Sequence, residues 1–160
     1  MRPTVQQDPP QLSLFQEVFW SGASHEHEKI APSVPATPAI TDAHFSELVL
    51  HGQAVTCLML LAPVLRTLSE EQDGRWLTLI APPSSLTHDW LRKAGLNREG
   101  ILLLSARDET GALALACETL RRGHSHTVIS WLPALGTSAR QRLATAAQAG
   151  QAQSLNIRLG

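Results

Sequence analysis

The sequence has little net charge and few cysteines, and both scarcities exclude classes of function. Its formal net charge is −1 at pH 7, so no overall field favours binding to nucleic acid or to an anionic membrane surface. Its two cysteines, Cys57 and Cys117, lack the spacing of a metal site. We therefore expect two buried free thiols in a reducing cytoplasm, and we predict no metal ion or other cofactor.

Signals for export and for a membrane span are also missing. No basic N-terminal region is followed by an apolar one, so we identify no signal peptide. The longest apolar stretch, from Ala54 to Leu65, is interrupted by Thr56 and Pro63, and a bilayer span takes about 20 residues. These absences predict a cytoplasmic protein that does not enter a membrane.

The turn after the first predicted strand lacks the residues of a nucleotide site. A P-loop protein has G-x-x-x-x-G-K-[ST] there, whose backbone N–H groups and lysine bind phosphates. The turn from His51 to Thr56 has one glycine and no lysine. A later strand has Ser130 and Trp131 where an aspartate would orient a metal ion. With no recognisable catalytic residues elsewhere, we predict a protein that is not an enzyme and works by binding.

The first forty residues differ in composition from the rest of the chain. They are polar and show neither a strand nor a helix period, and their prolines are Pro3, Pro9, Pro10, Pro32, Pro35 and Pro38. This composition predicts a largely disordered tail over residues 1–40 and one folded domain over residues 41–160.

From Phe45 onward, strand patterns alternate with helix patterns. The predicted strands are Phe45–Leu50, Trp76–Ala81, Ile101–Ser105, Thr127–Leu132 and Leu155–Leu159. Helices are predicted between them, near 53–71 with a kink at Pro63, 85–95, 108–123 and 137–150. The middle strands are continuous apolar runs, which indicates burial on both faces. We predict a three-layer α/β domain with a mainly parallel five-stranded sheet, its more polar first and last strands lying toward the edges.

The segment from Gly74 to Arg107 is the best candidate for a binding surface. It has a charge of +3, from five basic and two acidic residues: Arg75, Arg92, Lys93, Arg98 and Arg107 against Asp89 and Glu99. It also contains Trp76 and Trp90, and Trp and Arg are typical anchors of protein interfaces. Trp90 shares a predicted helix face with Leu86 and Ala94, so its spacing by itself favours a core position over a surface one.

Several stretches together resemble the SulA family, the SOS-induced inhibitors of bacterial cell division. They are Ser46–Val49, Leu60–Leu65, Gly74–Trp76, Leu86–Leu91, Ala94–Leu96, Leu120–Gly123 and Val128–Leu132. The resemblance extends over about residues 40–159. It implies a block of septation and of the cell cycle after DNA damage. The order of elements also resembles a RecA-like core without a functional P-loop.

The resemblance implies FtsZ, the tubulin-like division GTPase, as the partner. Family members bind its polymerising face and block both polymerisation and GTP hydrolysis. The family's contact residues fall on Arg75, Ile80 and Trp90, and a further one falls on Gly100, where a lysine is expected. With the neighbouring tryptophan and cations, the predicted FtsZ site consists of Arg75, Trp76, Ile80, Trp90, Arg92, Lys93 and Arg98. A homodimer and the Lon protease are further partners to expect.

One motif lies outside this resemblance. Residues 11–15 look like the pentapeptide by which bacterial polymerases dock on the replication sliding clamp, with Gln11, Leu12, Leu14 and Phe15 as its contact residues. The motif favours an alternative function, a RecA-like accessory protein of SOS translesion synthesis that docks on the clamp. An apolar segment that packs on its own domain or on a second copy would show the same residues.

Overall fold

The computed structural model describes residues 43–71 and 73–160. The predicted disordered tail and the clamp-like residues Gln11, Leu12, Leu14 and Phe15 lie outside this range. Within it, no helix is long and apolar enough to cross a membrane. The same residues contain no group of three or more His, Cys, Asp or Glu side chains that could hold a metal ion.

Strands and helices alternate along the described part of the chain. The strands are β1 (Phe45–Leu50), β2 (Trp76–Ile80), β3 (Ile101–Leu104), β4 (Ser125–Ser130) and β5 (Gln153–Leu159). The helices are α1 (Ala54–Ser69), α2 (His88–Lys93), α3 (Glu109–Arg122) and α4 (Thr137–Ala149), and a short 3₁₀ turn, Arg98–Gly100, precedes β3. The predicted α/β class is confirmed.

The sheet has the strand order β1-β5-β4-β2-β3, and all neighbouring strands are parallel. The prediction that the first and last strands lie at the edges is right for β1 and wrong for β5, because β3 forms the second edge. The prediction for β5 rested on its polar residues, Asn156 and Arg158. Asn156 is fully buried, where it accepts hydrogen bonds from Ser130 Oγ and Leu132 N and donates one to Leu132 O. Arg158 Nη1 lies 3.8 Å from Glu47 Oε1 on β1.

Helices cover both faces of the sheet. The core on the side of α1 and α2 is made mainly of leucine, with Leu58, Leu61, Leu65, Leu77, Leu79, Leu91, Ile129 and Ile157. The core under α3 and α4 has smaller residues, including Ala112, Ala116, Cys117, Leu143, Ala144 and Ala147. Both cysteines are buried and free, as predicted, and burial raises the pKa of the Cys117 thiol.

Local signals set the ends of the helices. Asp108 caps α3, since its Oδ1 accepts a hydrogen bond from Gly111 N at 2.6 Å. Gly123 ends the same helix in the left-handed conformation, with φ 68°. The second helix begins later than predicted, because Thr87 and not Ser85 is its N-cap and accepts from Trp90 N. The result is a six-residue helix in the connection from β2 to β3.

Candidate functional site

The predicted site residues gather mainly around the amino-terminal ends of β2 and β3. Arg75 and Trp76 stand at the start of β2, and Arg98 lies in the 3₁₀ turn before β3. These starts adjoin because the two strands are parallel and Leu77 pairs with Ile101. The last turn of α2, with Arg92 and Lys93, belongs to the connection that returns to this end of the sheet.

Arg75 is held in place by two side-chain hydrogen bonds and an ion pair. Its Nε donates to Asp73 Oδ2 at 2.8 Å, and Nη2 approaches the same oxygen to 2.7 Å. On the other side, Nη1 donates to the backbone carbonyl of Gln151 at 2.8 Å. The side chain stays 33% exposed. Arg75 is therefore a fixed guanidinium at the surface.

Trp76 presents a large apolar surface next to Arg75. Its exposed fraction is 43%, although it is the first residue of a strand that is otherwise buried. The ring lines a groove of about 410 Å³ together with Leu102, Leu104 and Leu115. The exposed part of this residue can contact a partner without any change in the fold.

Trp90 and Ile80 differ in how a partner could reach them. Trp90 is half-buried and packs against the leucine core, so the two interpretations of its spacing both apply. Ile80 is 0% exposed and belongs to the core under α3 and α4. A partner cannot touch the Ile80 side chain in this fold, so Ile80 can support the site only from the interior.

The cations of the site differ in how free they are. Arg92 pairs with Asp89 in an exposed contact, whereas in the described residues no ion pair involves Lys93 or Arg98. Gly100, where the resemblance led us to expect a lysine, is half-buried. A Cβ there would lie 3.2 Å from the carbonyl of Ser69, so a side chain would press on the end of α1.

The sequence analysis missed a group of titratable residues behind Arg75. His126 is buried on β4, and its Nδ1 lies 3.4 Å from Glu71 Oε2 and 3.0 Å from Thr127 Oγ1. Burial lowers the pKa of His126, and the opposing charges of Glu71 and Asp73 only partly offset it. No pattern in the sequence could pair residues 71 and 126.

Asp73 belongs to the same group. Burial acts to raise the pKa of Asp73, but hydrogen bonds from Arg75 and the charges of Arg75 and His126 outweigh it, so the pKa is lowered. The Asp73 contact did have a signal in the sequence. An aspartate often accepts from the backbone N–H two residues on, as it does from Arg75 N at 2.9 Å.

Comparison with known proteins extends this picture. A family model described as "Cell division inhibitor SulA" matches residues 43–154. The SulA cell division inhibitor of Pseudomonas aeruginosa is 62% identical over 151 residues, 94% of each chain. That of Serratia marcescens is 30% identical and covers 91% of this chain and 84% of its own.

A solved structure is similar as well. The crystal structure of SulA from Pseudomonas aeruginosa has a TM-score of 0.73 and 70% identity, covering 74% of this chain and all of its own. The relatives named here carry no sign of a RecA-like core or of a translesion-synthesis accessory, so neither of those expectations gains support.

Proposed function

The chain belongs to the SulA family of cell division inhibitors, and from this premise we propose that it inhibits division by binding FtsZ. In this proposal it covers the polymerising face of FtsZ, which stops polymerisation and GTP hydrolysis together. It acts in the cytoplasm during the SOS response and has no catalytic activity of its own.

The observation that carries the proposal is the Arg75–Trp76 pair. A fixed guanidinium and a ring that is 43% exposed stand side by side at the start of β2. Interface hot spots are enriched in these two residue types, which combine a large contact area with directed hydrogen bonds. Lys93 and Arg98, both exposed, add positive charge nearby, which favours an acidic partner surface.

The turn after β1 supports the view that inhibition requires no nucleotide chemistry in this chain. Only three residues, 51–53, separate β1 from α1, and they include a single glycine. Wrapping a phosphate takes a longer glycine-rich loop. We therefore expect binding of FtsZ to proceed equally well with and without ATP.

Sedimentation of FtsZ polymers, with GTP hydrolysis measured in parallel, tests the proposal. We expect the protein to reduce both, and Trp76→Ala to weaken the inhibition by about thirtyfold, the effect of losing a hot spot of 2 kcal/mol. Met59→Ala is the matched control, because Met59 is also an exposed apolar residue but lies on α1. If the wild-type protein leaves sedimentation and hydrolysis unchanged, FtsZ is not its target.

A further inference from the structure

The two side-chain hydrogen bonds and the ion pair of Arg75 occupy only part of its guanidinium. Arginine has five N–H donors. The Nε–H donates to Asp73 Oδ2, which Nη2 also approaches as an ion pair, and one N–H of Nη1 donates to the carbonyl of Gln151. Within the described residues, each terminal nitrogen therefore has at least one N–H that makes no hydrogen bond, and the side chain is 33% exposed. Two donors in a fixed relation suit the two oxygens of a carboxylate.

The acceptor on the Gln151 side is itself on a rigid support. Gln151 is a non-glycine residue with φ +50°, in the turn between α4 and β5. The preceding residue, Gly150, packs so closely on the end of α3 that a Cβ would lie 1.7 Å from the carbonyl of Leu120. Asp73 is similarly constrained, since its Oδ1 accepts from the backbone N–H of Arg75. Both groups that hold the guanidinium have little freedom to move.

We propose that Asp73 and the Gln151 carbonyl are positioning groups, which hold Arg75 in the orientation that receives a carboxylate of FtsZ. This inference rests on the proposed function. Asp73 acts through Arg75 and does not itself contact the partner.

A stabilising role alone explains the arrangement less well. The Asp73 and Arg75 side chains are 38% and 33% exposed, and ion pairs at such positions add little to folding because solvent screens them. Fixing a long side chain before the partner arrives has a separate benefit. It avoids an ordering cost that corresponds to about two- to tenfold in affinity for one side chain.

A double-mutant cycle tests the proposal, with FtsZ affinity measured by calorimetry on the full chain. We expect Asp73→Ala to weaken binding by about two- to tenfold and Arg75→Ala by more. The double variant should bind like Arg75→Ala alone, because a positioning group has nothing left to position. Asp73→Asn keeps an acceptor oxygen, so it should lose less FtsZ affinity than Asp73→Ala. If Asp73→Ala does not fold, Asp73→Asn replaces it in the cycle.

The control is Glu109→Ala, which removes an exposed carboxylate from the first turn of α3. It makes the same change in net charge and should bind FtsZ like the wild type. The inference is overturned if Asp73→Ala binds FtsZ like the wild type. It is also overturned if Asp73→Ala lowers FtsZ affinity by the same factor in the Arg75→Ala background as in the wild type. Failure of the wild-type protein to bind FtsZ would instead overturn the proposed function.

Discussion

The guanidinium of Arg75 donates a hydrogen bond to the carbonyl of Gln151, 76 residues further along the chain. This contact ties the start of β2 to the turn before β5, although β4 lies between those strands in the sheet. One side chain therefore contributes to the fold and to the proposed FtsZ surface. The two contributions differ in size, because removing an interface hot spot costs more binding free energy than removing an exposed ion pair costs in folding free energy.

Replacing Arg75 should reduce inhibition far more than stability. We expect Arg75→Ala to lower FtsZ affinity by about thirtyfold or more, and to lower the free energy of unfolding by only about 1 kcal/mol. Inhibition of GTP hydrolysis and urea denaturation measure the two effects. Arg75→Lys retains the charge but loses the planar guanidinium with its fixed N–H donors, so it should resemble Arg75→Ala in FtsZ binding. Full inhibition by Arg75→Ala would show that the site lies elsewhere.

Asn156 should be the most important polar residue of the core. Asn156→Ala removes hydrogen bonds to Ser130 and to both backbone groups of Leu132. Because each buried polar group left without a partner costs about 1–3 kcal/mol, we expect a loss of about 2–4 kcal/mol by urea denaturation.

Ser154→Ala is the matched control for Asn156→Ala. Ser154 is buried on the same strand, and its Oγ has no hydrogen-bond partner among the residues that the structure describes. Its removal should therefore cost less than about 1 kcal/mol. Equal losses for the two variants would mean that packing, and not hydrogen bonding, sets the role of Asn156.

His126 should make the protein less stable in mild acid. Burial lowers the folded-state pKa of His126 below its ordinary value of 6.5, so the unfolded chain binds the proton more readily. The free energy of unfolding should therefore be at its full value above about pH 6.5 and fall as the pH drops through the window below it.

Chemical denaturation at a series of pH values checks this expectation. His126→Gln cannot titrate, so its unfolding free energy should vary less with pH in that window. His88→Gln replaces an exposed histidine of α2 and should retain the wild-type dependence. The assignment to His126 is wrong if the two variants show the same dependence.

Gly150 should tolerate no larger residue. Its φ is −91°, an ordinary value, so the need for glycine comes from the contact with Leu120. We expect Gly150→Ala to lower the free energy of unfolding by about 3 kcal/mol or more, because backbone atoms must move to relieve the clash. Gly136→Ala is the control, since no atom of a neighbouring residue in the described part of the chain lies within 4 Å of a Cβ there. Thermal denaturation of both variants should show a large drop in Tm only for Gly150→Ala.

Much of the architecture is determined by the sequence itself, wherever the physical cause is local. The alternating and apolar runs predicted the α/β class and placed β1 at Phe45–Leu50, as observed. Asp108 and Gly123 predicted the ends of α3, because capping involves atoms only a few residues apart. The concentration of basic and aromatic residues between Gly74 and Arg107 was also evident from the sequence.

Only the tertiary structure decided which distant residues meet. The strand order places β5 inside the sheet, where the buried Asn156 side chain accepts a hydrogen bond from the backbone of Leu132. Nothing in the sequence around Asn156 indicates this contact. The same packing buried Ile80 and left Trp76 partly exposed, although both belong to one apolar strand. The contact between Arg75 and Gln151 joins segments that approach only after the sheet has formed. Periodicity and local propensity depend only on residues close together in the sequence, so they cannot predict contacts between distant segments.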